Sequence, residues 1–285
     1  MERGKVCDWC LKHGDGKKWY LNLKNFSTDF LKDRAVIESA IKYFQNTESM
    51  VGMTPAMFEE ALKLREDGEF SRMVETVKEM IGSLSPHRGQ VVPIEDVEEI
   101  IRLSGPIARI ACVCRRMLKG SFEEKTCILV GPVYLEYAKE WPDFTRGGID
   151  YLSKEEALEL MRGFEEKGYV HTFWMDMFSG AVMGFCNCEF PTCAPLRYRR
   201  ALGDWFNFFL RKAEYVAVLD YDRCTGCGKC LTRCQFGALS LSPYLGKAIL
   251  DMKVCAGCGL CRAVCEEKAI RLVPRSEVQA VRGLW

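Results

Sequence analysis

Sixteen cysteines occur in the 285 residues. Eight of them fall in two runs of one spacing. Cys224-x-x-Cys227-x-x-Cys230-x-x-x-Cys234 is followed by Cys255-x-x-Cys258-x-x-Cys261-x-x-x-Cys265, at an offset of 31 residues. The repeat reaches past the cysteines: Asp220 matches Asp251, Gly226 matches Gly257, Gly228 matches Gly259, and Ala238 matches Ala269. Two copies of one small unit predict an internal pseudo-twofold. The spacing suits a cube of four irons and four sulfides, in which each iron takes one thiolate. Three cysteines two residues apart wrap three corners in a tight loop. The glycines between them stand where backbone curls close to sulfur and φ turns positive. The fourth cysteine sits too far along to reach back, so it crosses to the other cube. Cys224, Cys227, Cys230 and Cys265 are therefore expected around one [4Fe–4S] cluster, and Cys255, Cys258, Cys261 and Cys234 around a second. Zinc prefers two separated CxxC pairs, which a doubled triple-plus-one run does not provide.

The other eight cysteines are less ordered. Cys7-Asp8-Trp9-Cys10 offers half of a zinc site, or two free thiols packed by Trp9 and Trp19. It is no c-type haem motif, because Leu11 stands where His is needed. Cys112 and Cys114 follow the β-like run from Ile107, and a strand would turn both to one face. Cys127 opens an apolar segment, Ile128 to Ala138, that reads as a helix. Cys186, Cys188 and Cys193 come later. A third metal centre is expected from Cys112, Cys114, Cys186 and Cys188, with Cys127 and Cys193 in reserve. A [4Fe–4S] cube and zinc are both open there, and six packed thiols are the plain alternative.

The elements that must position these residues define an α+β chain in three parts. Residues 1–104 read as a mostly helical N-terminal region carrying the CxxC pair. Apolar periodicity marks helices at about Thr28–Gln45, from Thr54-Pro55 onward, at Phe70–Ile81 and at Ile94–Leu103. Residues 105–213 form a cysteine-rich middle domain of mixed α/β character. There Ser153-Lys154-Glu155-Glu156 is a capping box, and Gly168 closes the helix it opens. Tyr169–Met175 and Ala181–Cys186 then pair as a hairpin. Helix and hairpin together describe a winged helix. The acidic helix, with Glu155, Glu156, Glu159, Glu165 and Glu166, would repel phosphates, which argues against reading DNA. Residues 214–285 form the two-cluster unit, and an amphipathic segment with Arg197, Arg199, Arg200, Arg211 and Lys212 leads into it.

Net charge is +1, so nothing general attracts nucleic acid or an anionic membrane. The longest apolar candidate for a bilayer span is broken by His171, Asp176 and Ser179-Gly180. No apolar signal region follows Met1, and metal-type cysteine spacing points to a reducing cytoplasm.

Residues 220–273 resemble the bacterial-type two-cluster ferredoxin domain. Gln235 and Glu266 stand where that family usually places Pro after each fourth cysteine. The wider order of CxC-Arg, Cys, a Ser-Lys-Glu-Glu helix, Cys-Asn-Cys and then a ferredoxin unit resembles ferredoxin-fused iron–sulfur proteins of anaerobic bacteria and archaea. The two-cluster resemblance implies one-electron transfer between a redox donor and acceptor, and the long stretch of chain before that unit suggests a dedicated subunit or adaptor. An alternative is a reductase whose substrate or third-cluster site is built from the middle cysteines, with Arg115, Arg116 and His171 as anion-binding or proton-delivery groups. A structural scaffold within a redox complex is a third. Neither a dinucleotide G-x-G-x-x-G nor a P-loop is present.

Overall fold

Strands rich in β-branched and aromatic residues form one large sheet, and the cysteine repeat folds against its side. The computed structural model describes residues 18–35, 37–38, 41–42, several positions between 59 and 69, and 88–120, 122–138, 145–175 and 181–284. Cys7, Cys10, the start of the expected helix at Thr54 and the expected helix at Phe70–Ile81 lie outside the described residues.

The sheet contains β1 (Gly89–Val91), β2 (Ile107–Ile110), β3 (Cys127–Val130), β4 (Asp150–Leu152), β5 (Val170–Met175), β6 (Val182–Cys188) and β7 (Leu210–Arg211), in the order β4-β2-β3-β6-β5-β1-β7. The β1–β7 pair is parallel and the other neighbours are antiparallel. Among the described residues, five helices flank it: α1 (Ile94–Leu103), α2 (Val113–Lys119), α3 (Pro132–Tyr137), α4 (Lys154–Glu166) and α5 (Ala194–Leu202). On one face Val97, Ile100 and Ile101 of α1 and Ala157, Met161 and Phe164 of α4 pack with Ile128, Phe173 and Phe185. On the other, Val133 and Tyr134 of α3 cover Ala108, Ile110 and Leu129, while Leu196 and Leu202 of α5 lie with Trp174 and Cys188.

Helix α4 begins as its capping box requires. Ser153 Oγ accepts from Glu156 N, and Glu156 Oε2 accepts from Ser153 N. Gly168 follows it at φ +83°. Three expectations need correction. The run through Cys112 and Cys114 is strand only to Ile110. Helix α2 then carries Cys114, because Val113–Lys119 holds good helix formers and Gly120 ends it in the left-handed region. The apolar segment after Cys127 is strand to Val130, and Gly131 at φ +85° breaks it ahead of α3, which begins at Pro132. Residues Thr28–Lys32 form a 3-10 turn in place of the start of a long helix. The β5–β6 hairpin is present, but it sits mid-sheet and is not a lone wing. Strand β1 also brings residues before 104 into the sheet of the middle region.

The repeat folds as two interleaved halves. Strand β8 (Tyr215–Leu219), α6 (Lys229–Arg233) and β9 (Leu239–Leu241) make the first, and β10 (Ala248–Leu250), α7 (Leu260–Ala263) and β11 (Ile270–Pro274) the second. Strand β8 pairs with β11, and β9 with β10, so each half is completed by the other. The repeated Asp and Ala have matching duties. Asp220 N donates to Ala269 O and Asp251 N to Ala238 O, both at 2.8 Å. Each Asp side chain then accepts from the two amides that open its cysteine loop.

Buried polar groups join this unit to the sheet. Gln90 of β1 donates through Nε2 to Lys212 O and Glu214 Oε1, each at 3.1 Å. Asp96 of α1 accepts from Lys18 at 2.6 Å and from Tyr215 Oη at 3.4 Å. Burial pushes the Glu214 carboxyl up to about 7 from an ordinary 4.5. The native state therefore holds a proton that the unfolded chain releases. Its contribution to stability is complete below about pH 4.5 and fades as pH rises through about 7. Glu214→Gln should raise stability at pH 8 by up to about 3 kcal/mol and flatten the slope between those limits. Urea midpoints across pH measure this; an unchanged slope would contradict it.

Candidate metal centres

The interleaving decides where the fourth cysteines go. Cys234 lies just before β9, and β9 pairs with β10 of the second half. Cys234, Cys255, Cys258 and Cys261 accordingly line one pocket, walled also by Phe236, Ala238, Ala256 and Leu250. In the symmetric place, Cys230 lies within the electrostatic reach of Cys224, Cys227 and Cys265. Backbone amides point at the crossing sulfurs: Ala238 N to Cys234 Sγ at 3.2 Å and Ala269 N to Cys265 Sγ at 3.3 Å. Glycine is required in these loops. A Cβ on Gly226 would meet Gly246 O at 1.7 Å, and one on Gly257 would meet Tyr215 O at 2.1 Å.

The two sets differ in surroundings. Cys227 is exposed, whereas Cys255 and Cys261 are buried. Ala256, Leu260 and Phe236 pack into the same core as Cys188, Cys193, Leu196 and Leu202. Burial holds the Cys258 thiol well above its ordinary range and lifts Cys261 to about 12. Such sulfurs become thiolates only beside a cationic partner. Arg275, fully buried, donates to the carbonyls of Ala213 (3.1 Å), Tyr215 (2.8 Å) and Cys255 (2.9 Å). Lys212, also buried, reaches Asp204 at 2.7 Å and Lys253 O at 2.5 Å. No sequence pattern announces Arg275. It lies past the repeat, and only the β8–β11 pairing brings it to Cys255.

The six middle cysteines also converge. Cys127 stands opposite Cys186 in the β3–β6 register. Cys186 and Cys188 share a face of β6, and Thr172 on that face touches Cys188 Sγ at 3.9 Å. Cys112 caps α2, Cys114 lies in its first turn, and Cys193 caps α5. Cys193 and Cys188 sulfurs are 2.9 Å apart, beyond the ~2.05 Å of a disulfide. His171 does not join them. Neighbouring residues of a strand face opposite ways, so His171 points across the sheet from Thr172. There its Nδ1 meets Asn187 Oδ1 at 2.6 Å, and burial lowers its pKa to about 4. Arg115 is engaged by Glu124 at 2.8 Å, Glu189 at 3.3 Å and the Tyr169 ring at 4.7 Å.

Among the described residues, no group of three or more His, Cys, Asp or Glu is arranged around a single metal ion.

Residues 220–270 match the family model of the 4Fe-4S dicluster domain. No curated protein matches the chain. The C-terminal part of the chain is thus a ferredoxin-like iron–sulfur domain, and it binds 4Fe-4S clusters of the kind used in electron transfer. Among the described residues, no helix is long and apolar enough to cross a membrane.

Gly257→Ala and Gly228→Ala should behave differently. Both positions have positive φ, but a Cβ at Gly228 meets nothing within 4 Å. Gly228→Ala should cost about 1 kcal/mol from backbone strain alone. Gly257→Ala should cost at least twice that and lower the iron content. Thermal midpoints and iron assays on anaerobic protein compare them; equal losses would contradict the clash.

Proposed function

We propose that the chain is an electron-transfer protein, a dedicated subunit or adaptor between a redox donor and an acceptor. One [4Fe–4S] cluster is held by Cys224, Cys227, Cys230 and Cys265, and a second by Cys255, Cys258, Cys261 and Cys234. The single observation that carries this reading is the cavity shared by Cys234 and the second run, because it joins sulfurs from both halves. When bound, such clusters supply one-electron storage with little rearrangement of the protein around them.

The residues around the two sets suggest different duties. Exposed Cys227 presents the first set to a partner protein. The second set is walled by the chain's own core, through Phe236, Ala256 and Leu260. Arg275 and Lys212 place buried positive charge behind Cys255, which favours added negative charge on that side. A freely diffusing carrier has no need of so large an attached sheet.

A second reading is a reductase with its reacting centre at the middle cysteines. The meeting of Cys112, Cys114, Cys127, Cys186, Cys188 and Cys193 favours it.

Cysteine substitutions followed by EPR of the reduced protein test the ligand sets. Cys234→Ser and Cys258→Ser should perturb one signal, and Cys265→Ser and Cys227→Ser the other, each with a loss of up to about four irons per chain. Grouping of Cys234 with Cys227 would sink the crossed arrangement. Arg275→Met should lower the potential of the Cys255-side signal by on the order of 60 mV, one tenfold change in a one-electron equilibrium. Arg275→Lys should retain most of it. Redox titration of both variants is the measurement, and equal potentials would remove the electrostatic role.

A further inference from the structure

One pair of middle sulfurs is closer than packing alone places them. Cys188 Sγ and Cys193 Sγ are 2.9 Å apart. Unbonded carbons rest at about 3.5–4.0 Å, and sulfur is the larger atom. A disulfide needs about 2.05 Å. The pair therefore lies inside ordinary contact and short of a bond, and a modest side-chain rotation closes the gap.

The backbone holds the two sulfurs there. Cys188 ends β6 and Cys193 caps α5, with Glu189–Thr192 between them. Cys193 N donates to Glu189 O at 2.9 Å, which closes the loop, and Arg197 N donates to Cys193 O at 3.0 Å, which ties it to α5. Phe190 and Pro191 at the tip are exposed, whereas both cysteines are buried beneath them. A bond across so short a loop restrains the unfolded chain less than a long-range one, so it serves poorly as a structural staple. Reversible pairing is the use that suits this position. Thr172 Oγ1 accepts from Trp174 Nε1 at 2.8 Å and lies 3.9 Å from Cys188 Sγ. Its own hydrogen is free to rotate toward that sulfur, which fits Cys188 to carry the negative charge when a bond between the two opens.

The pair also lies beside the second ferredoxin-type set. Cys188 and Cys193 share a buried core with Ala256, Leu260 and Phe236, and Cys234 and Cys258 pack at its edge. Gln235, the residue after Cys234, accepts from Phe190 N at 2.6 Å and donates to Cys188 O at 3.5 Å. The route from the Cys234 sulfur to the Cys188 sulfur is therefore covalent apart from one hydrogen bond.

We propose that Cys188 and Cys193 are a redox-active dithiol/disulfide couple that exchanges electrons with the neighbouring Cys255 set. On oxidation two S–H bonds break and one S–S bond forms. Two protons leave to solvent at the Phe190–Pro191 tip, and two electrons pass to the iron–sulfur unit. Reduction runs the other way. A four-iron cluster stores one electron, so the two ferredoxin-type sets together hold the pair of electrons that the bond takes. The inference rests on the electron-transfer reading of those sets and adds an acceptor inside the chain that takes electrons two at a time.

The test is electron uptake by the full-length protein, purified anaerobically, treated with oxidised glutathione, freed of small molecules and titrated with dithionite without mediator dyes. Wild type should take up about four electrons per chain, and Cys188→Ser and Cys193→Ser about two each. Alkylation and peptide mass spectrometry should find Cys188 joined to Cys193 before the titration and both thiols free after it. This mapping needs wild type alone, so it decides the bond even where a variant fails to fold. Equal uptake by wild type and both variants overturns the proposal, as does a peptide joining Cys127 to Cys186 in its place. So does iron or zinc that both variants lose, since the two sulfurs would then be ligands. Failure of the electron-transfer reading looks different: the variants would take up no electrons, while wild type still took up about two.

Discussion

A buried sulfur can carry charge only if something positive or strongly polar stands beside it, and this structure is arranged around that constraint. Fourteen cysteines among the described residues are free thiols, gathered in three sets, most of them buried or half-buried. Burial, with the neighbouring sulfurs, raises the Cys258 and Cys261 thiols above their ordinary range. The chain compensates with fixed dipoles and a few sunken cations. Amides of Ala238, Ala269, Arg115 and Ala194 point at sulfur. Arg275 binds three carbonyls, which places its charge next to Cys255. Backbone amides are well suited to this work. They cannot be titrated, and they do not move when the charge on sulfur changes.

The same economy explains the strand exchange between the halves. A single half could wrap three sulfurs, but its own fourth cysteine leaves the loop heading away, toward the strand that pairs with the other half. Exchange of β9 and β11 carries that cysteine toward the loop of the other half. Asp220 and Asp251 then fasten each loop to the opposite half through amide–carbonyl bonds. Neither half is complete alone, because each takes its pairing strand from the other.

Much of this was legible in residue order. The doubled cysteine run matched by the 4Fe-4S dicluster model, the Ser153 capping box and the β5–β6 hairpin rest on local spacing, and local spacing survives folding. The middle cysteines were harder for a definite reason. Their meeting depends on the strand order β2-β3-β6, which no periodicity encodes, and on Gly120 and Gly131 cutting apparent elements short. Cys127 looked like a helix residue because Ile128–Val130 is apolar throughout, and such a run fits a buried strand equally well. Arg275 and Glu214 gave no signal at all. Their roles arise from burial between elements distant in sequence. Gln235 was visible as a departure from the usual Pro, but its partners at Phe190 and Cys188 were not.

The seam made by Gln90, Lys212 and Glu214 bears on kinetics. Because polar contacts clamp the ferredoxin-like unit to the sheet on both sides of residue 213, it cannot swing on a tether between one docking station and another. The gap across which an electron would tunnel inside the molecule is set by the fold, and dilution or solvent viscosity leaves it alone. Under the proposed reading, only the encounter with an outside partner remains subject to diffusion.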